Sequence, residues 1–117
     1  MARIPLVSKG PVSETLTVDD MDSNYGYREI SATFYTDGTY QTVVDSGMTG
    51  TYGLKATPVV NQYEQDVSGA TAIDVSVASQ LTTPVRIDTA VQSVKATPTA
   101  ITGATHWELR VRSENER

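Results

Sequence analysis

Apolar and polar residues alternate with a period of two along most of this chain. The stretch "REISATFYT" (28–36) sets Ile30, Ala32 and Phe34 on one side. That is the pattern of a strand packing one face on a core and leaving the other wet. "ETLTV" (14–18), "TYQTVVD" (39–45) and "TYGLKAT" (51–57) read as further strands, the last ending at Pro58. Asp37-Gly38 stands between the second and third of these four stretches. A two-residue type I′ turn prefers this pair because both central positions need positive φ, so a tight hairpin is predicted there. "SGMTG" (46–50) is a second turn, and "DDMDSNYGY" (19–27) an acidic, turn-rich connection. No window repeats apolar residues at helical spacing over three turns, so the expectation is all-β.

One phrase occurs twice. "LKATPVV" (54–60) resembles "VKATPTA" (94–100), and "VSGATAIDVSV" (67–77) resembles "ITGATHWELRV" (101–111). Each copy reads strand, Lys-Ala-Thr-Pro, loop, Gly-Ala-Thr, strand. Proline stops ladder pairing and glycine permits a turn, which predicts a duplicated β-hairpin over 54–79 and 94–113. Ile73, Val75 and Val77 share one parity in the first copy, and Trp107, Leu109 and Val111 share it in the second. Asp74 and Ser76, and in the second copy His106, Glu108, Arg110 and Arg112, fall on the opposite, wet face. Between the copies, Val85, Ile87 and Val91 are odd-numbered while Val94 and Ala96 are even. A parity change of that kind marks a bulge or a bend.

Residues 1–13, "MARIPLVSKGPVS", hold two prolines and no clean alternation, and read as an extended N-terminal arm. Ile4, Leu6, Val7 and Val12 suit an arm that docks, since a solvated tail has no need of them. Residues 14–117 then form a single all-β domain. The expected fold is an antiparallel β-sandwich or small barrel of seven to eight short strands.

Composition agrees with the pattern. Thr, Val and Ile make up about a third of the chain, and β-branched residues fit a pleated, half-buried surface. There is no cysteine, which removes disulfides and thiolate metal sites. The net charge is −5, from 14 acidic and 9 basic residues, and the basic ones are scattered. That argues against nucleic acid as a partner. No apolar run approaches the ~20 residues that span a bilayer, so no membrane partner is expected. The first ten residues lack the apolar stretch of a signal peptide, so a soluble chain beginning near Met1 and not exported by that route is expected.

No residue set defines a chemistry, and neither an enzyme nor a cofactor is expected. The one histidine, His106, falls on the wet face, and neither G-x-S-x-G nor a phosphate loop occurs. Asp74 and Glu108 hold equivalent places in the two copies and could pair for glycoside hydrolysis, although solvated strand faces commonly carry carboxylates. Asp20, Asp22 and Asn24 alternate like the first ligands of a calcium loop, but Tyr25 takes the glycine place and Ser31 the twelfth. Trp107, with Tyr25 and Tyr27, could form a sugar platform; its parity with Leu109 argues for the core. The first copy's extra loop, "VVNQYEQDVS" (59–68), is polar and centred on Tyr63. Loops added to a rigid scaffold often carry recognition. The candidate partner-binding residues are therefore Ile4, Leu6 and Val7 in the arm and Asn61, Gln62, Tyr63 and Glu64 in the loop.

An acidic, cysteine-free, Thr/Val-rich domain with the arm "MARIPLVSKGPVS" and doubled "KATP…GAT" units resembles the capsid decoration, or cement, proteins of tailed-phage virions. The resemblance spans the chain in style and has no signature motif. It implies a structural protein of the virion, assembled in the host cytoplasm and binding the major capsid protein or another virion protein. It also implies a homo-oligomer, often a trimer, whose arm crosses to a neighbour. A tail, collar or baseplate component and an adhesion or carbohydrate-binding module are the alternatives.

Overall fold

The computed structural model describes residues 6–19, 27–58, 63–67, 72–88 and 91–114. Among these, the chain order is β1 (Leu6–Pro11), β2 (Leu16–Val18), β3 (Tyr27–Tyr35), β4 (Val43–Val44) and β5 (Thr49–Pro58). There follow β6 (Gln65–Asp66), β7 (Ile73–Asp74), α1 (Ala78–Thr82), β8 (Val85–Ile87), β9 (Val91–Thr102) and β10 (His106–Glu114). The strands make two antiparallel sheets packed as a sandwich, with no closed barrel. Sheet A runs β1-β10-β3-β4, with β8 also paired to β3; sheet B runs β2-β9-β5-β6, with β7 also paired to β5.

The alternation read from the sequence builds the core. Ile30, Ala32 and Phe34 of β3 and Trp107, Leu109 and Val111 of β10 point inward from sheet A. Tyr52, Leu54 and Ala56 of β5 meet them from sheet B, with Val94 and Ala96 of β9. Trp107 stacks on Phe34 with ring centres 5.5 Å apart, and Tyr52 meets it edge-on at 5.7 Å. Burying one such side chain contributes about 1.5–3 kcal/mol. Arg28 lies on the same inner face, fully buried, and its guanidinium donates to the Val91 carbonyl at 3.1 Å. A charge from sheet A is thereby tied to the backbone of sheet B.

The pairing adds detail to these expectations and replaces the tight turn. Leu6–Pro11 of the expected arm is a sheet strand, paired with β10 from Leu6↔Val111 to Pro11↔His106. Residues 1–5, Ile4 among them, lie outside the described residues. The described strands number ten; β1 in the arm and β6 in the loop are the additional ones. The Asp37-Gly38 hairpin is a longer loop, since Tyr35 pairs with Val43. The Asp37 carboxylate spans that loop, accepting from the Thr39 hydroxyl and from the Gln41 and Thr42 N–H groups at 3.3 Å. Those donors hold its carboxyl below the usual range, the Thr39 hydroxyl first among them. Positive φ falls on Tyr40, at 59°.

The duplicated phrase is not a pair of equivalent hairpins. In the first copy, β6 and β7 fold back on β5 within sheet B. In the second, β9 belongs to sheet B and β10 to sheet A, so the Gly-Ala-Thr turn carries the chain across the sandwich. The two Lys-Ala-Thr segments instead pair with each other, Leu54 with Ala96 and Lys55 with Lys95.

The parity change between Val91 and Val94 is a bulge. Thr57 pairs with Ser93 and Pro58 with Val91, which leaves Gln92 extra. A second irregularity lies at the other end of the β5–β9 ladder, between Thr49 and Thr51. There Gly50 has φ 108°, Ala100 has φ 54°, and a Cβ on Gly50 would sit 2.4 Å from the Ala100 carbonyl oxygen. Gly50→Ala is expected to cost about 2–4 kcal/mol through strain and clash with backbone, read as a lower urea midpoint. An unchanged midpoint would show that the ladder relaxes at no cost.

Burial also pushes the Tyr52 phenol up to about 12. In an unfolded chain a phenol titrates near 10, so the folded state holds this proton more tightly. The stabilisation is complete below about pH 10 and is lost as the pH rises through 12. Unfolding free energy should fall by about 2–3 kcal/mol over that window, and Tyr52→Phe should remove most of the fall. A slope unchanged in the variant would contradict it.

Candidate functional site

Among the described residues, the outer face of sheet A carries one buried carboxylate. β10 is flanked by β1 and β3, so the residues opposite Glu108 are Lys9 and Thr33. Glu108, expected on a solvated face, is only 4% exposed. Its carboxylate accepts from the Tyr35 hydroxyl at 3.2 Å and from Arg110 at 3.4 Å, and lies 3.9 Å from the Lys9 ammonium. Burial, then Glu108, raises the Tyr35 phenol. Tyr40 comes back over this cluster from its positive-φ position. Its ring lies 4.9 Å from the Lys9 ammonium and meets Tyr35 and His106 edge-on at 5.4 and 5.5 Å.

His106 shares a hydrogen bond with its neighbour Thr105. It meets no serine nucleophile in the described contacts. Asp74 is in sheet B and Glu108 in sheet A, so the two carboxylates belong to opposite sheets and form no catalytic pair. Asp74 accepts instead from the Ser76 hydroxyl and N–H, which lower its pKa. Trp107 is fully buried, and its indole N–H donates to the Glu14 carbonyl at 3.1 Å, so it is not a sugar platform. Tyr27 carries the Arg86 guanidinium 3.8 Å from its ring centre.

Sheet B has a groove on its outer face of about 390 Å³. Gly53, with no side chain, forms its floor between Thr51 and Lys55, and Thr97, Thr99 and Lys95 line the β9 side. Like charges directly opposite each other repel, and Lys55 faces Lys95. The loop found only in the first copy relieves this: Asp66 lies 3.7 Å from Lys55, and Glu64 lies 3.0 Å from Lys95. Glu64 is thus a structural partner, while Tyr63 beside it is 76% exposed. Neither lysine was singled out in sequence, although their identical places in the doubled phrase are a signal that they could meet.

Of the sequence-derived candidates, Leu6 and Val7 sit on the edge strand β1, exposed by 41% and 42%. Asn61, Gln62, Asp20, Asp22 and Asn24 lie outside the described residues, as does Ile4. Among the described residues, no three His, Asp or Glu side chains are placed to hold a metal ion, and no helix is long and apolar enough to cross a membrane.

No protein-family model and no curated protein matches the chain. Among solved structures it is similar to a chain from work described as "Bacillus endospore appendages form a novel family of disulfide-linked pili". The identity is 6%, the TM-score is 0.41, and the match covers 99% of this chain and 88% of that one. A likeness of that size supports no inference about function.

The Glu108 cluster makes a clear energetic prediction. Tyr35→Phe and Glu108→Gln should each lower stability by about 1–2 kcal/mol, and the double variant should lose less than their sum by about 1 kcal/mol. Strict additivity in denaturation would show that the hydroxyl and carboxylate do not interact.

Proposed function

We propose that this chain is a non-enzymatic structural subunit that joins other protein subunits through the edges of its sandwich. One observation carries the reading. Among the described residues, five large apolar side chains are exposed: Leu6, Val7, Val43, Tyr63 and Val77. Leu6 and Val7 are on one edge strand of sheet A, Val43 is on the other, and Tyr63 adjoins the edge strand β6 of sheet B. A small-molecule site gathers apolar side chains in a concavity. Leu6 and Val7, adjacent on the edge strand β1, set apolar side chains beside open backbone groups, which suits contact with protein.

The particular form proposed is an accessory protein of a virion, decorating the capsid by binding the major capsid protein. Its support is the resemblance in sequence style, together with the economy of the arrangement. A small interface repeated by symmetry gains avidity without new contacts. A tail or baseplate component would use the same edges. The carbohydrate-binding alternative has lost its tryptophan platform to the core.

Sedimentation of the native protein from its source tests this reading. It is expected to travel with a megadalton particle, and Leu6→Asp should release it while the fold persists. Tyr63→Ala should weaken binding more than it lowers the melting temperature. A protein that stays light in every fraction would refute the structural assignment.

A further inference from the structure

We infer that the open edge of sheet A pairs with the same edge of a second copy, two β1 strands running antiparallel about a two-fold axis at Ser8. This rests on the reading of the chain as an assembling subunit and specifies the edge, its occupant and the register.

The hydrogen-bond pattern of β1 supplies the argument. Pro11 is paired with His106 although it has no N–H, and the Val12 N–H donates to the Thr105 carbonyl at 3.0 Å. In an antiparallel ladder this parity makes residues 6, 8 and 10 exchange their bonds with β10. Val7, Lys9 and Pro11 therefore turn their backbone groups outward. Among the described residues β1 pairs only with β10, so the Val7 and Lys9 groups face away from any ladder partner. The Pro11 carbonyl is already taken by the Glu14 N–H at 3.0 Å. Among the described residues the edge therefore presents two donors and two acceptors, on Val7 and Lys9.

That set is complementary to itself. With Ser8 opposite Ser8 of the second copy, Val7 exchanges both bonds with Lys9 of the second copy, and Lys9 does so with its Val7. Every open group among the described residues of β1 finds a partner. Centring the pair on Lys9 sets the Val7 carbonyl against Pro11, which cannot donate, and centring it on Val7 leaves Lys9 without a partner among the described residues. Side chains agree with the Ser8 register. Leu6, on the core-side face yet 41% exposed, falls opposite Gly10 of the second copy, where no side chain obstructs it. On the outer face, Val7 falls opposite Lys9 of the second copy. The two copies would then share one continuous sheet.

Full-length protein tests this by sedimentation equilibrium and by crosslinking. Wild type should form a dimer. Val7→Pro removes only an outward N–H, so it should be monomeric with an unchanged near-ultraviolet circular dichroism spectrum. The chain has no cysteine of its own, which makes Ser8→Cys a clean probe. Directly opposed residues of this pair type have Cα atoms about 4.5 Å apart, within disulfide reach. Ser8→Cys should therefore oxidise to a covalent dimer much faster than the exposed control Ser79→Cys. Dimerisation of Val7→Pro as strong as wild type, or equal crosslinking at the two cysteines, overturns the pairing. A wild type that is monomeric at all concentrations yet sediments with particles overturns this pairing alone. A wild type that neither dimerises nor sediments overturns the subunit reading with it.

Discussion

The structure depends on the seat of Trp107. It lies on β10, which is held between β1 and β3, so its indole is covered from both sides within its own sheet. Phe34 stacks on it from β3 and Tyr52 closes it from the opposite sheet. Its N–H reaches the Glu14 carbonyl in the turn that carries the chain from β1 to β2. One side chain thus joins the two sheets and the connection between them. A buried indole N–H needs such a partner, because leaving it unpaired costs free energy comparable to a hydrogen bond. The position of the β1–β2 turn is therefore constrained by the core, and with it the place where β1 meets solvent.

The outer faces follow from the same strand order. A carboxylate on an edge strand is solvated, whereas Glu108 is central, and neighbouring side chains close over it. Its burial is tolerable because Tyr35, Arg110 and Lys9 all present donors or positive charge. On sheet B the doubled Lys-Ala-Thr phrase creates a problem of its own, since antiparallel pairing sets Lys55 against Lys95. The loop that distinguishes the first copy supplies Glu64 and Asp66 in answer. These exposed pairs add little stability singly, but they remove a repulsion from the longest ladder of the sheet.

Local pattern made much of this legible. Period-two alternation placed Ile30, Ala32 and Phe34, and Trp107, Leu109 and Val111, on the core faces of β3 and β10. The parity switch from Val91 to Val94 located the Gln92 bulge. What depends on non-local pairing was not legible. Asp37-Gly38 looks the same in a two-residue turn as in a longer loop, and only the Asp37 side chain's reach to Thr42 decides between them. Gly-Ala-Thr occurs in both copies, yet which sheet the following strand joins is set by partners distant in sequence. Arg28 sits at an inward parity that reads as an error until Val91 is seen opposite it. Of the candidate partner-binding residues, Leu6 and Val7 were legible as apolar positions in a proline-flanked stretch, and the structure places them exposed on the edge strand β1. The cluster of Lys9, Tyr35, Tyr40 and Glu108 was not legible, because three strands and a loop contribute to it.

The edges are where stability and assembly conflict. An open strand edge is a template for indiscriminate pairing, and natural sheets blunt it with proline, charge or shortness. Sheet A uses all three. β4 has only two residues, Lys9 places a charge on the β1 edge, and Pro11 closes one end of that edge. Among the described residues, what is left open on β1 is the backbone of Val7 and Lys9. Leu6 and Val7 stay exposed beside it, although either could be polar without disturbing the ladder to β10. Retaining apolar side chains at the one open stretch of a guarded edge costs solubility in a free monomer. Covering the stretch in use would offset that cost, which is the physical argument behind the proposed role as a subunit.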